Sequence, residues 1–156
     1  MAIEIERKFL VRGDSWCAQA SRAQPMRQGY LVEPGGRASV RVRVAGERAH
    51  LNIKAAIVGS ARAEYEYEIP LADAEPMLAS LCIGRVDKVR HYLEHDGRTW
   101  EIDVFEGDNA GLVVAEIELE DEDASFTRPA WVGDEVTDDA RYYNHALAQT
   151  PYNRWP

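Results

Sequence analysis

Glu4, Glu6 and Lys8 stand two residues apart near the start of the chain. The same spacing returns in Arg41 and Arg43, in His50, Asn52 and Lys54, and in Glu64, Glu66 and Glu68. It returns again in Lys88 and Arg90, in Glu101 and Asp103, and in Glu116, Glu118 and Glu120. Side chains of a β-strand repeat with period two, so each set shares one face of its strand. Carboxylates on neighbouring strands are the hard oxygen ligands that Mg²⁺ or Mn²⁺ takes, and Mg²⁺ commonly joins a few of them to substrate phosphates. Arg41 and Arg43 can fork onto phosphate oxygens, and Lys8, Lys54 and Lys88 can act as compact positive charges. Phosphoryl transfer asks for little beyond positioning and charge stabilisation, so such a face supplies most of what it requires. No Ser/His/Asp or Cys/His arrangement, P-loop or G-x-G-x-x-G stands in the sequence to offer another chemistry.

The elements that must position these residues are short alternating runs bounded by turn signals. Eight are predicted: Ile3 to Val11, Met26 to Val32, Arg37 to Ala45, His50 to Ala56, Ala63 to Ile69, Val86 to Glu94, Thr99 to Phe105 and Leu112 to Glu120. Turns are expected at Pro34-Gly35-Gly36, Ala45-Gly46-Glu47 and Gly107-Asp108-Asn109. Asp96-Gly97 is the strongest hairpin signal, because both residues tolerate the positive φ of a tight primed turn. Three helices are predicted: Asp14 to Arg22, Leu71 to Leu81 with Leu71, Ala74, Leu78 and Leu81 on one face, and Asp138 to Gln149. Pro76 suggests that the second of these begins late. The third would pack through Tyr142, Tyr143, Ala146 and Leu147. The fold class expected is α+β, mainly β: one domain over residues 1–156, an eight-stranded antiparallel closed barrel with about three external helices.

Alternation of this kind usually marks an amphipathic sheet with its charges in water. Here most strands carry one sign only, whereas a solvated face intersperses both. If the charged face instead lines a closed barrel, about eight strands enclose room for side chains or one small ligand. An uncompensated buried charge costs several kcal/mol, and a whole domain is stable by only about 5–15 kcal/mol. More than a dozen inward charges therefore require a wet lumen in which they are paired or neutralised by ions.

Composition sets the outer bounds. With 156 residues, 27 acids and 18 bases, the net charge of -9 argues against nucleic acid and anionic membrane surfaces as partners. The opening MAIEIERKFL carries charges where a secretory core would be apolar, and no run approaches a membrane span, so a soluble cytoplasmic protein is expected. Cys17 and Cys82 belong to no metal or redox motif and read as reduced packing thiols.

Glu4-Ile5-Glu6-Arg7-Lys8 resembles the ExExK signature of the CYTH family, the triphosphate tunnel metalloenzymes, and most of all its short bacterial inorganic triphosphatases. The resemblance continues in order through Arg27-Gln28-Gly29-Tyr30-Leu31, Val40-Arg41-Val42-Arg43, Ile53-Lys54 and Arg62-Ala63-Glu64-Tyr65-Glu66. It then takes in Lys88-Val89-Arg90, Glu101-Ile102-Asp103, Ala115-Glu116-Ile117-Glu118-Leu119 and Arg141-Tyr142-Tyr143-Asn144. It implies an eight-stranded tunnel whose bases bind a triphosphate and whose acids bind Mg²⁺ or Mn²⁺. By position, Lys8, Arg41, Arg43, Lys54, Lys88 and Arg90 would hold phosphate, and Glu4, Glu6, Glu116 and Glu118 metal. Glu64, Glu66 and Asp103 would add ligands or support. The mechanism expected is in-line attack on the terminal phosphorus by a water that one metal activates while another bridges phosphate oxygens, with Lys8 or Tyr30 orienting that water. A small hydroxyl residue is expected near Lys54, where its own strand has His50 and Asn52. His91, His95 and His145 read as solvated or structural.

The reading that follows is hydrolysis of a small triphosphate, inorganic tripolyphosphate first and thiamine triphosphate as an alternative. An adenylate cyclase of the same superfamily would need a nucleoside pocket for which little chain is left. A non-catalytic polyphosphate or nucleotide sensor would bind without turnover, and a lipocalin-like carrier would turn the apolar face inward. Trp and Tyr residues near the C-terminus, if exposed, are compatible with a homodimer.

Overall fold

The computed structural model describes residues 2–156. Nine strands form: β1 (Ile3–Val11), β2 (Arg22–Tyr30), β3 (Ala38–Ala45), β4 (Arg48–Ala55), β5 (Ala61–Ile69), β6 (Gly84–His95), β7 (Arg98–Phe105), β8 (Val113–Glu118) and β9 (Val132–Glu135). Two α-helices accompany them, α1 (Leu71–Ser80) and α2 (Asn144–Gln149). The first eight strands match the eight alternating runs. Their sheet order is β5-β4-β3-β2-β6-β7-β8-β1, and β1 pairs back to β5, which closes an antiparallel barrel. Asp96 (φ 49°) and Gly97 (φ 75°) make the tight turn between β6 and β7.

Closure is uneven. One edge of β1 pairs with β8 from Glu6↔Glu118 to Leu10↔Val114. Its other edge meets β5 only at Ile3↔Ala63, Glu4↔Arg62 and Ile5↔Ala61. Beyond that point the ninth strand, which the alternation signal did not include, takes over through Phe9↔Glu135 and Val11↔Val132. Between the two pairings, Val136 N–H donates to the Lys8 carbonyl at 2.8 Å and Lys8 N–H to Thr137 Oγ1 at 3.0 Å. Backbone groups of β1 that neither strand reaches thus find partners in the C-terminal segment.

The apolar core lies outside the barrel and at one end of it. Phe9, Leu93, Trp100, Ile102 and Ile117 face outward from their strands, and the stretch between β8 and β9 lays Phe126 and Trp131 over them. The Trp100 ring stands 5.7 Å from Phe9 and 5.5 Å from Trp131, centre to centre. A second patch, Val42, Val44 and Ala49, is covered by Ala74 and Leu78 of α1. The third patch joins Val86, Phe105, Leu112 and Val114 to Leu147 of α2. Val86 shares the parity of Lys88 and Arg90, so this patch closes one end of the lumen. Gly84 lets α2 approach, because a Cβ there would stand 2.7 Å from the Ala148 carbonyl oxygen.

Several expectations need correction. The helix expected from Asp14 to Arg22 is a single 3₁₀ turn at Ser15–Ala18, since the chain enters β2 by Arg22 to pair with Tyr92 of β6. The second helix starts at Leu71 with Pro70 as its cap and carries Pro76 inside, and Leu81 is 60% exposed. The third breaks into a 3₁₀ turn at Ala140–Tyr142, which Asp139 caps, and then α2, which closes the barrel end. Tyr65 and Tyr67 on the outer face of β5 are 48% and 56% exposed, so no helix covers that wall. Cys17 is exposed and does no packing. Near the C-terminus Trp131 and Tyr143, expected to be exposed, are buried, and Trp155 packs on Tyr142 and Tyr152. Among the described residues no helix is long and apolar enough to cross a membrane.

Candidate active site

The lumen is a cavity of about 190 Å³ lined by residues of the barrel strands and of the 144–145 segment. At about 10–15 Å³ per enclosed water, it has room for on the order of fifteen waters or for one small polyanion with its ions. Every residue expected to hold phosphate or metal or to orient the water lines it except Asp103: Glu4, Glu6 and Lys8 from β1, Tyr30 from β2, and Arg41 and Arg43 from β3. Lys54 reaches it from β4, Glu64 and Glu66 from β5, Lys88 and Arg90 from β6, and Glu116 and Glu118 from β8. Asp103 stands behind this lining, fully buried, with Lys88 Nζ at 2.8 Å and Arg90 Nε at 2.7 Å. It is the counter-ion that holds two bases in place and has no face on the cavity.

The lining also includes Ser39, Asn52, Arg62, Glu101, Asn144 and His145. Parity carried a signal for four of these: Ser39 shares the face of Arg41, Asn52 that of Lys54, Glu101 that of Asp103, and Arg62 that of Glu64 once β5 is seen to begin at Ala61. Ser39 lies directly across from Lys54 on the neighbouring strand, which puts a small hydroxyl beside that lysine. Asn144 and His145 come from outside the barrel, and no strand periodicity could have found them. His145, read as solvated or structural, stands half-buried in the cavity wall between Tyr30 and Tyr143. Burial, with Arg62, Lys8 and Lys54 nearby, lowers its pKa and keeps the imidazole neutral. Glu68, whose row continues that of Glu64 and Glu66, pairs with Arg48 at the surface.

Charge is sorted within the lumen. On the acidic side, Lys54 Nζ sits 2.7 Å from Glu4 and 3.5 Å from Glu64, Lys8 Nζ is 3.5 Å from Glu116, and Arg62 is 3.7 Å from Glu6. Burial, followed by the adjacent carboxylates of Glu116 and Glu4, pushes the Glu6 carboxyl up to about 8. Burial acts the same way on Glu116, yet Lys8, Arg90 and Lys88 outweigh it and hold that carboxylate well below its usual range. Glu118 is raised by burial and by Glu4, Glu101 and Glu64. The acidic wall therefore holds more negative charge than its lysines and arginines neutralise.

The opposite wall has the converse imbalance. Among the described residues Arg41 and Arg43 make no ion pair, the buried Nε of Arg41 has no acceptor, and Arg43 donates only to Gln28 Oε1, at 3.0 Å. Its pKa falls to about 10 through burial and the neighbouring charges of Arg41 and Arg90. A buried and a half-buried guanidinium without a carboxylate are costly, and an anion between them would remove that cost.

The acids fit a divalent ion of the kind that shares its coordination with a substrate. Among the described residues no three His, Cys, Asp or Glu side chains already form a cage. Mg²⁺ characteristically uses one or two carboxylates plus phosphate oxygens and water, and Glu4, Glu6, Glu116 and Glu118 project into the same lumen as the unpaired arginines.

This geometry has close counterparts. The CYTH domain matches residues 2–146. An inorganic triphosphatase of Acetivibrio thermocellus is 46% identical over 156 residues, covering 99% of each chain. One of Nitrosomonas europaea is 39% identical over 148 residues, covering 93% of this chain and 96% of that one. The crystal structure of the inorganic triphosphatase NE1496 superposes with a TM-score of 0.70 at 38% identity, over 95% of both chains. A charge-lined antiparallel barrel, a family domain that spans nearly the whole length, and relatives of the same size agree: the chain belongs to the CYTH family.

Proposed function

We propose that the chain hydrolyses inorganic tripolyphosphate to pyrophosphate and phosphate in its lumen, with Mg²⁺ or Mn²⁺ as the divalent ion. The observation that carries this reading is the pair of guanidiniums of Arg41, buried, and Arg43, half-buried, which have no ion-pair partner among the described residues and face a wall with surplus carboxylate. Seven acids and seven bases line the cavity, so a polyanion can enter without a large net charge only together with cations. Two relatives that carry the name inorganic triphosphatase and match over nearly their full length support the substrate class.

In this reading Arg41, Arg43, Lys54, Lys88 and Arg90 hold the phosphate chain, and Asp103 orients the last two of these. Glu4, Glu6, Glu116 and Glu118 hold the divalent ion, with Glu64 and Glu66 beside them. That ion, when bound, neutralises charge on the phosphate oxygens and lowers the pKa of a bound water. Lys8 and Tyr30 orient the attacking water in line with the terminal phosphorus. Its oxygen forms the new P–O bond as the bridging P–O bond breaks toward pyrophosphate. The pocket that adjoins the lumen beyond Tyr30 and Ser39 has only about 30 Å³ of space, too little for a nucleoside or a thiazolium ring.

Incubation with Mg²⁺ or Mn²⁺ and tripolyphosphate, thiamine triphosphate or ATP tests the reading. Phosphate release from tripolyphosphate at the highest kcat/KM is expected; cyclic AMP from ATP without phosphate release would reverse it.

A further inference from the structure

Gln28 belongs to the Arg27-Gln28-Gly29-Tyr30-Leu31 motif, yet it has no surface on the cavity and is fully buried. Its amide is saturated: Oε1 accepts from Arg43 Nε at 3.0 Å, and Nε2 donates to Tyr30 Oη at 3.2 Å and to Asn144 Oδ1 at 3.0 Å. Asn144 Oδ1 also accepts from Lys88 Nζ at 3.1 Å. A guanidinium and an ammonium can only donate. Arg43 therefore forces Gln28 to turn its oxygen toward β3, and Lys88 forces Asn144 to turn its oxygen toward β6, so neither amide can flip.

The consequence lies on the lumen side. With its Nε bound to Gln28, Arg43 leaves its terminal nitrogens to the cavity. Tyr30 Oη accepts from Gln28, so its own O–H is free to donate inward. Asn144, its oxygen occupied twice, has only its Nδ2 amide left to offer. We infer that Gln28 is a positioning residue that sets the hydrogen-bond polarity of the phosphate wall, so that Arg43, Tyr30 and Asn144 all present donors to the bound anion. It also ties the C-terminal segment, through Asn144, to β2 and β3. This inference rests on the tripolyphosphate reading and deepens it, by assigning what makes that wall selective for an acceptor-only ligand.

Gln28→Glu tests it with nearly unchanged shape. A carboxylate there keeps the Arg43 bond while neutralising its charge, and takes the Tyr30 proton as acceptor. It also faces the Asn144 oxygen with another acceptor. Gln28→Met removes all three bonds without adding charge and serves if the glutamate variant does not fold. With Mg²⁺ and tripolyphosphate, Gln28→Glu is expected to raise KM on the order of a hundredfold and Gln28→Met about tenfold, with smaller changes in kcat. In a double-mutant cycle, Gln28→Met combined with Tyr30→Phe should lose clearly less than the product of the two single effects, because both act through one hydrogen bond. A purely structural Gln28 would instead lower Tm, leave KM within about twofold and give a multiplicative cycle, and that result overturns the inference. A wild-type protein that fails to hydrolyse tripolyphosphate overturns the functional reading and the inference with it. Unchanged KM in both variants of an active enzyme overturns the inference alone.

Discussion

Arg41, buried, and Arg43, half-buried, turn inward from β3, whose Val42 and Val44 face the α1 patch on the other side. Sites that keep like charges close together trade stability for binding. Arg41→Met, which breaks no hydrogen bond of the ligand-free protein, is accordingly expected to leave Tm unchanged or raise it while raising KM for tripolyphosphate by about tenfold to a hundredfold, the range for one charge-assisted contact. Melting curves and steady-state kinetics on the same preparation check both halves. Glu6 carries the opposite imbalance. Its carboxyl is pushed up from 4.5 to about 8 by burial first and by Glu116 and Glu4 next, so the folded chain keeps a proton that the unfolded chain has released. The stability this group contributes is full below its unfolded pKa and is lost as pH rises through the folded value. Melting temperature in metal-free buffer should therefore fall between about pH 5 and pH 8, and Glu6→Gln should flatten that slope. An unchanged slope in the variant would remove Glu6 as its source.

At the scale of elements, two segments outside the alternating strands decide whether the lumen works. The 137–145 segment supplies Thr137 to the β1 backbone and Asn144 to the Gln28 network. Tyr143 donates its O–H to the Thr137 carbonyl at 2.6 Å and accepts from Gly59 N–H at 3.1 Å. Its ring lies under both Lys8 and Arg62, at 5.2 Å and 4.8 Å, so the cap also steadies two bases of the lumen. α2 then seals the end through Leu147 and its close approach at Gly84. Gly84→Ala would set a Cβ against the Ala148 carbonyl and the Ala148 side chain, which lies 3.1 Å from that position. Overpacking of this kind costs about 1–3 kcal/mol, or roughly 2–12 °C in Tm for a domain of this size. Hydrogen exchange should locate the loosening at residues 144–149, and protection that stays at the wild-type level there would refute the packing account.

Taken whole, the molecule is acidic at -9 while its lumen is close to balanced, so the net charge resides on the outer surface. A free polyanion meets long-range repulsion that salt screens within about 10 Å at 0.1 M. Once inside, ligand and ion each relieve the strain the other would create. Tripolyphosphate and Mg²⁺ added together should therefore raise Tm by more than the sum of their separate shifts, since binding only to the folded state stabilises it by about 2.7 kcal/mol at a hundredfold excess over Kd. Differential scanning fluorimetry with each addition alone and then both would check this, and additive shifts would count against a shared site.

The charged rows were legible in the sequence because a strand's period of two needs no tertiary information: Arg41 with Arg43, Glu64 with Glu66 and Glu116 with Glu118 share faces in any extended conformation. Segregation of sign by strand, and the ordered motifs from Glu4 to Asn144, went further and pointed to a lumen that takes both anions and cations. Parity cannot say which face turns inward, because that follows from closure, here from three residue pairs between β1 and β5. Nor could it show that Asp103 stands behind Lys88 and Arg90 while Glu101, on the same strand face, reaches the cavity; the depth of each side chain depends on how neighbouring strands are staggered. Asn144, His145 and the seal at Leu147 belong to segments without strand periodicity, and only packing brought them to the barrel end.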